Sequence, residues 1–457
     1  MSAVPRPLLP ISPIRVVGVD RPSDARPSYP CIGVDDVHRF VEEQCFAGGG
    51  DGRVGAELEW LTFPSGDRQA RVELATLDAL AQAVGTLPAG SKLTFEPGGQ
   101  VELSSQPATN LSSLTRAVAA DALSLRQALG QLGVEASAMG LDPIRPDVRV
   151  LEGSRYVAMQ AYFDSQGPAG GSMMCGTASV QVNLDVGKPC DVVERWSLAH
   201  ALGPVMAAAF ANSPFVMGAP SGLKSTRLAR CLTMDPTRTT PVAHGPRTGS
   251  SWQQPATTWA DYALNARVMM IHSGDTDLQP VLEPLTFADW MSRPGGGPES
   301  ATTGRPLGYP DLDDLAYHLT TLFPPVRPKG WLELRMIDAL PDPWWRVAAA
   351  VPAVLLGDPE AFAAAARATS HTAGRWAEAA RHGLSHPGLA SAARHCFSAA
   401  LSALDRSGVD TETADACAGF NDRFVARGRC PADDLVEAWL DEGRLLPVAA
   451  GREPSWA

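Results

Sequence analysis

Gly55-Ala-Glu57-Leu-Glu59-Trp60 alternates small or apolar residues with acids, and three later stretches repeat the pattern. They are Phe95-Glu96-Pro-Gly-Gly-Gln100-Val-Glu102-Leu103, Thr177-Ala-Ser179-Val-Gln181-Val-Asn183-Leu-Asp185 and Trp331-Leu-Glu333-Leu-Arg335-Met336. Side chains on a strand alternate faces with period 2, so Glu57 and Glu59 point the same way, as do Gln100 and Glu102, Gln181 and Asn183, and Glu333 and Arg335. One face of each strand is polar and the other apolar. A single such strand is an ordinary half-exposed one, but four together predict a sheet whose polar face lines a carboxylate-rich cleft.

Acids gathered in a cleft need company. Two carboxylates about 4 Å apart repel by roughly 4 kcal/mol at an effective dielectric near 20, so they must protonate, spread apart or bind cations. Hard oxygen ligands with no cysteine or paired histidine among them suit Mg2+ or Mn2+ rather than zinc or copper. Magnesium shares its shell readily with phosphate oxygens, which points to nucleotide chemistry.

The chain of 457 residues is 45% hydrophobic, as globular chains are, and carries a formal net charge of −12. That balance argues against nonspecific nucleic-acid binding and against an anionic membrane surface, either of which needs a basic face. Lysine is nearly absent, confined to Lys92, Lys188, Lys224 and Lys329. Eight cysteines show no Cys-x-x-Cys spacing and read as free thiols. The N-terminus lacks the apolar core of a signal peptide, and the best membrane candidate, 199–211, is short and holds His200 and Pro204. A cytoplasmic, reduced setting is expected.

Residues 1–30, rich in proline, read as a disordered arm. Asp35 and Asp36 open a helix carrying Val37, Phe40 and Val41, and Gly48–Gly52 is a connector rather than a phosphate loop, for no Gly-x-x-x-x-Gly-Lys-Ser/Thr match exists. Asn110 caps a helix running through Leu132, with Leu111, Leu114, Val118, Leu125, Leu129 and Leu132 on one stripe. A second helix spans 191–211. Residues 344–450 read as several helices broken at Gly357-Asp358-Pro359, Gly383, His386-Pro387, Gly408 and Gly428. The segments 241–255 and 294–310 read as mobile surface loops. Helices laid on the apolar faces of the strands would complete the core.

Four sets of residues carry a resemblance: Glu96–Ser104; Met174–Asn183; Ser213-Pro-Phe215 followed by Arg227, Asp235 and Arg238; and Glu333-Leu-Arg335. Over roughly 31–343 the chain resembles the plant and bacterial glutamate-cysteine ligases, above all their actinobacterial, ergothioneine-pathway branch. With the strand pattern, the resemblance implies an α+β fold in which a curved, mainly antiparallel sheet forms a cleft surrounded by helices. It implies a single catalytic domain over 31–450 with a helical C-terminal portion. The implied reaction is ATP-dependent joining of the γ-carboxylate of L-glutamate to the amine of L-cysteine by way of a γ-glutamyl phosphate. Its steps build negative charge that cations stabilise beyond the ground state.

The roles implied by the resemblance are these. Glu57, Glu59, Glu102 and Glu333 hold Mg2+ or Mn2+, with Gln181 and Glu96 as further ligands. Arg155 and Arg227 grip the α-carboxylate of glutamate, as a guanidinium fork can. Arg335, beside Glu333, meets the transferring phosphoryl group. Gln100 serves the nucleotide, and Asn183 and Thr177 hydrogen-bond substrate. The hairpin register decides which acids meet: a two-residue Gly98-Gly99 turn turns Glu96 away from Glu102, whereas a three-residue Pro97-Gly98-Gly99 loop puts Glu96, Gln100 and Glu102 on one face. The second register is expected, because only it gives one cleft the whole run.

Blander readings stand beside these. Arg155 and Arg227 could form surface ion pairs, Tyr156, Tyr162 and Phe163 are expected in the core, and His200, His272 and His318 are expected to be structural. Cys231 stands where the family usually has a tryptophan, and no cysteine pair matches the redox-regulatory disulfide of the plant enzymes. The same scaffold could serve a ligase with another acceptor amine, a noncatalytic metal- or glutamate-binding protein, or a metal-dependent hydrolase that needs no ATP.

Overall fold

The computed structural model describes residues 32–47, 50, 52–242, 254–273, 277–300 and 306–442. The expected disordered arm, and the middles of the two expected mobile loops, lie outside the described residues. The ends of the second loop are cross-bridged, Gly296 to Gly308 and Glu299 to Pro306, and Trp290 Nε1 donates to the Gly308 carbonyl at 2.8 Å.

Eleven strands are found among the described residues. They are β1 (Val54–Pro64), β2 (Lys92–Phe95), β3 (Val101–Ser104), β4 (Val134–Ser137), β5 (Ser179–Asp185), β6 (Phe215–Val216), β7 (Ala219–Pro220), β8 (Met270–His272), β9 (Leu278–Pro280), β10 (Val326–Pro328) and β11 (Trp331–Asp338). Seven form the main sheet in the order β10-β11-β5-β1-β3-β2, with β4 pairing the far end of β1. β6–β7 and β8–β9 are separate ribbons. The main-sheet pairings are all antiparallel, and helices surround the sheet, so the fold is α+β.

The apolar face is dry. Ala56, Leu58, Trp60, Leu103, Val180, Val182, Leu332 and Leu334 are all buried, covered by the helices Leu111–Gln131, Val192–Ala209 and Trp344–Gly357. Truncating one of these, Leu58→Ala for example, would cost about 2–5 kcal/mol through lost transfer energy and the cavity left behind. The helix starts follow side-chain chemistry: Asn110 accepts from Ser113 N at 2.9 Å, Asp358 from Ala361 N at 2.9 Å, and Asp36 from Gly33 N at 2.9 Å. Among the described residues no single helix is long and apolar enough to cross a membrane; one pair, Trp344–Gly357 and Pro359–Thr369, passes on length and composition but is bent by 99°. The first of the pair packs in the core.

The β2–β3 hairpin adopts the three-residue loop. Phe95 pairs with Val101, Glu96 N donates to Gln100 O at 2.9 Å, and Gly99 N donates to Glu96 O at 2.8 Å. Gly99 takes φ +86, a left-handed conformation that closes such loops and that glycine adopts without strain. A β-bulge interrupts the β11–β5 register between Leu334 and Ile337. It falls at Arg335 and Met336 within β11, where an extra residue re-aims side chains.

Candidate active site

The polar face of the main sheet floors a cavity of about 1160 Å³. Register fixes who meets whom: Glu57 opposes Gln181 on β5 and Ser104 on β3, Glu59 opposes Glu102, and Asn183 opposes Glu333. The strands thus bring Glu57, Glu59, Glu96, Gln100, Glu102, Gln181, Asn183 and Arg335 to one lining, with Thr177 beside them. The helices Ser154–Asp164 and Thr226–Met234 wall it, contributing Arg155, Met159, Arg227 and Cys231.

The acids fall into two kinds. Glu333 is fully buried and accepts from Arg327 Nε at 2.7 Å, Lys329 Nζ at 3.0 Å and Arg335 Nη1 at 2.8 Å. Burial pushes its carboxyl up, but the three cations outweigh that and hold it well below the ordinary range. Glu57, Glu59 and Glu96 lack such partners. Burial, reinforced by Glu333 and Glu102, pushes Glu57 up to about 7, and its Oε1 accepts from Asn183 Nδ2 at 2.9 Å. Glu59 is raised by burial against the pull of Arg227 and Arg335, and accepts from Gln181 Nε2 at 2.8 Å. Burial and the neighbouring Glu102 and Glu59 hold Glu96 well above its usual value.

Among the described residues no three histidine, cysteine or acidic side chains converge closely enough to hold a metal ion as they stand. The donor chemistry nonetheless fits a hard divalent cation. Carboxylate and amide oxygens dominate the floor, and acids whose charge is disfavoured for want of a counter-charge are what such a cation relieves.

The amides are already engaged. Gln181 bridges, giving Nε2 to Glu59 and taking a hydrogen bond on Oε1 from Arg335 Nη1. Asn183 takes one on Oδ1 from Trp331 Nε1 at 3.0 Å. Gln100 donates from Nε2 to the carbonyls of Thr177 at 2.9 Å and Met174 at 3.4 Å, and Thr177 Oγ1 donates to Met173 O at 2.6 Å. Gln100 therefore ties the hairpin to the segment that leads into β5, while the Thr177 hydroxyl closes the end of the helix Ala169–Gly176.

Among the described residues neither arginine forms a surface ion pair. Arg227 is 6% exposed and packs at the foot of its helix, where Ser225 caps by accepting from Leu228 N at 3.2 Å. Arg155 donates from Nη1 to Thr320 Oγ1 at 3.2 Å and from Nη2 to Thr320 O at 3.3 Å, with its guanidinium 5.1 Å from the Tyr317 ring centroid. Tyr162 and Phe163 are buried as expected; Tyr156 is half-buried, packing on the same cluster while also lining the cavity. His200 and His318 are buried and bonded to Trp196 O and Ala263 O, and His272 packs edge-on to Tyr317. Asp235 and Arg238 form a buried pair at 2.7 Å beneath Tyr162.

Alternation alone missed Asp338 and placed Met336 on the wrong face. The bulge shifts the parity of β11, so Met336 joins Arg335 in the lining and Asp338 lies opposite cavity-lining Ser179. Arg53, Lys92, Arg327 and Lys329 also line the cavity and had no motif to announce them. The scarcity of lysine was the only signal available.

Residues 53–450 match the family described as glutamate-cysteine ligase family 2. The chain belongs to glutamate-cysteine ligase family 2. Among its relatives, glutamate–cysteine ligase EgtA of Mycobacterium tuberculosis is 40% identical over 407 residues, covering 88% of this chain and 90% of the relative. EgtA of Mycolicibacterium smegmatis is 40% identical over 399 residues, 87% of this chain and 89% of the relative. The chloroplastic glutamate–cysteine ligase of Nicotiana tabacum is 31% identical over 276 residues, 60% of this chain and 50% of the relative.

Proposed function

We propose that this protein couples ATP cleavage to joining the γ-carboxylate of L-glutamate with the amine of L-cysteine, and that its γ-glutamylcysteine feeds ergothioneine synthesis in the cytoplasm. Residues 31–450 act as one catalytic unit. Family membership supports the reaction. The observation that carries the site is the meeting of Glu57, Glu59 and Glu96, all pushed toward neutrality, with Arg227 and Arg335 over one floor. The seven described cysteines are all free, as a reducing compartment keeps them.

A carboxylate is inert toward amines because its leaving group would be oxide. Attack of a γ-carboxylate oxygen on the terminal phosphorus of ATP forms the acyl phosphate and releases ADP. Attack of the cysteine amine on the acyl carbon then forms the amide, expels phosphate and frees the amine proton. Arg227 and Arg155 orient glutamate by its α-carboxylate, and Arg335 faces the negative charge growing on the phosphoryl oxygens. Glu333 and Gln181 hold the Arg335 guanidinium in place, so no reorganisation is needed at the moment of transfer. Glu333, which is buried and satisfied by Arg327, Lys329 and Arg335, and Gln181, whose Oε1 accepts from Arg335, act through Arg335. Glu57, Glu59, Glu102 and Glu96 would hold Mg2+ or Mn2+. Such ions neutralise phosphate charge and template the two reacting groups.

The test is mass spectrometry of the product formed from ATP, glutamate, Mg2+ and an equimolar mixture of amino acids. γ-Glutamylcysteine is expected to dominate. Its appearance as a minor species would assign another acceptor amine, and ADP release without any glutamyl product would remove the ligase reading altogether.

A further inference from the structure

Among the arginines of the lining, Arg335 and Arg227 each face a buried acid, Glu333 at 2.8 Å and Asp338 at 3.6 Å. Arg155 does not. Among the described residues it forms no ion pair, and its guanidinium meets only neutral groups. Nη1 donates to Thr320 Oγ1 at 3.2 Å, Nη2 donates to Thr320 O at 3.3 Å, and the guanidinium carbon lies 5.1 Å from the Tyr317 ring centroid. Arg155 also stands in the first turn of the helix Ser154–Asp164, where the backbone dipole disfavours a cation. Its place there does nothing for the helix.

The ring that faces the guanidinium is itself fixed. Tyr317 belongs to the helix Leu312–Leu319 and is buried behind the lining. Its hydroxyl donates to Met270 Sδ at 3.5 Å, and the His272 ring packs edge-on against it at 4.7 Å. Met270 and His272 lie on β8, whose ribbon with β9 packs against the helix that carries Arg155. Thr320 follows at the C-terminal end of the Tyr317 helix. Its hydroxyl accepts from Arg155 while donating to Tyr317 O at 2.7 Å. Its carbonyl belongs to the last turn, where such groups lack intrahelical partners and carry partial negative charge. One ribbon and one helix end therefore brace both the ring and the arginine.

We propose that Tyr317 is a positioning residue: its ring face, with Thr320, aims the Arg155 guanidinium at the cavity while leaving its charge uncompensated for the α-carboxylate of glutamate. This rests on the reading of Arg155 as a grip on glutamate. A ring face attracts a cation through its quadrupole and carries no net charge. An acid in the same place would compete with the substrate carboxylate for the same guanidinium fork.

Tyr317→Leu, Tyr317→Phe, Arg155→Met and the double variant with Tyr317→Leu and Arg155→Met test this in the full-length protein. The measurements are steady-state kinetics and equilibrium binding of radiolabelled glutamate. Arg155→Met is expected to raise the KM for glutamate and weaken its binding by about tenfold, and Tyr317→Leu by about fivefold, with the KM for ATP moved less than about twofold in both. Tyr317→Phe keeps the ring face and is expected to stay within about twofold of the wild type. Adding Tyr317→Leu to Arg155→Met is expected to change nothing further, because two residues that act through one contact are not additive. Three results would each overturn the role of Tyr317 while Arg155 kept its own: unchanged glutamate binding in Tyr317→Leu, a Tyr317→Phe as damaged as Tyr317→Leu, or a double variant showing the product of the two single losses. Unchanged glutamate binding in Arg155→Met would instead sink the reading of Arg155, and this inference with it. If Tyr317→Leu does not fold, Thr320→Val carries the test: it removes the hydroxyl that Arg155 reaches, a loss of about threefold in glutamate binding is expected, and unchanged binding would overturn the clamp. The binding arm needs no turnover, so it reads the clamp even in a protein that made no glutamyl product.

Discussion

Arg227 Nη1 lies 3.6 Å from Asp338 Oδ1, while Nη2 of the same guanidinium donates to the Arg335 carbonyl at 2.9 Å. Asp338 is itself pinned, accepting from Asn212 N at 2.8 Å, Ser213 Oγ at 2.7 Å and Ser225 Oγ at 2.9 Å. A buried acid therefore aims an arginine at the cavity from behind, and the bulged strand that carries Arg335 supplies both anchors.

Asp338→Asn keeps the shape and removes the charge that Arg227 faces. If Arg227 grips glutamate, the KM for glutamate should rise about tenfold while the KM for ATP stays within about twofold. Loss of one partner from a buried pair should also lower stability, by about 3 kcal/mol or somewhat less because the amide still accepts one hydrogen bond. Kinetics with each substrate varied in turn separate the two effects. A parallel rise in both KM values would mean that Asp338 supports the fold and not the aim of Arg227.

Glu57 links metal to pH. In the metal-free protein its carboxyl titrates at about 7, against an ordinary value near 4.5. Between these values the folded state keeps a proton that the unfolded chain has released, so stability falls as pH rises through that window, by about 1.4 kcal/mol per unit from this group. A divalent ion replaces the proton, and it stabilises only the folded state. Millimolar Mg2+ should therefore raise Tm more at pH 8 than at pH 6. Glu57→Gln should flatten the metal-free slope, shrink the Mg2+ shift and abolish turnover. A Mg2+ shift that was equal at both pH values, or intact in Glu57→Gln, would remove Glu57 from the ligand set.

Alternation made the floor readable in advance: Glu57, Glu59, Gln181 and Asn183 share a face because period 2 is geometric and the register is fixed by the dry opposite face. The helix start at Asn110 was equally legible, since a side-chain acceptor before an apolar run has few other uses, and so was the break at Gly357-Asp358-Pro359, although the capping role of Asp358 there was not read. The bulge at Arg335 was not, because an extra residue leaves no compositional mark, and with it went Asp338 and Met336. The pairing of Glu333 with three cations was also hidden. Arg327 and Lys329 are four to six residues away in sequence and reach it only through the β10–β11 turn.

Two glycines in one turn should respond very differently to alanine. A Cβ on Gly98 would sit 2.0 Å from the Cys175 carbonyl oxygen and 2.6 Å from its carbon, whereas one on Gly99 meets nothing closer than 3.5 Å. Gly99→Ala pays only for its φ of +86, about 1 kcal/mol. Gly98→Ala must push backbone from backbone, moving the loop that carries Glu96 and Gln100, and should cost about 1–3 kcal/mol together with most of the activity. Chemical denaturation and initial rates on the two variants check this. Equal losses would mean that the hairpin is not wedged against the helix Ala169–Gly176.

His318 offers an acid-stability signature remote from the chemistry. It is buried, stacked at 4.9 Å on Phe287, with Nε2 3.0 Å from Ala263 O and no partner for Nδ1 among the described residues. Burial, aided by Arg238, holds its pKa down to about 3 against an ordinary 6.5. Above pH 6.5 the ring is neutral in both states and contributes no pH dependence. Below it the unfolded chain takes up a proton that the folded chain refuses, so stability should fall by about 1.4 kcal/mol per unit from about 6.5 toward 3. His318→Gln keeps a donor for Ala263 O but cannot titrate. Denaturation at pH 7.5 and 5.5 should therefore show the wild type losing about 1.4 kcal/mol more than the variant between the two, and equal losses would mean that the imidazole is protonated inside the fold.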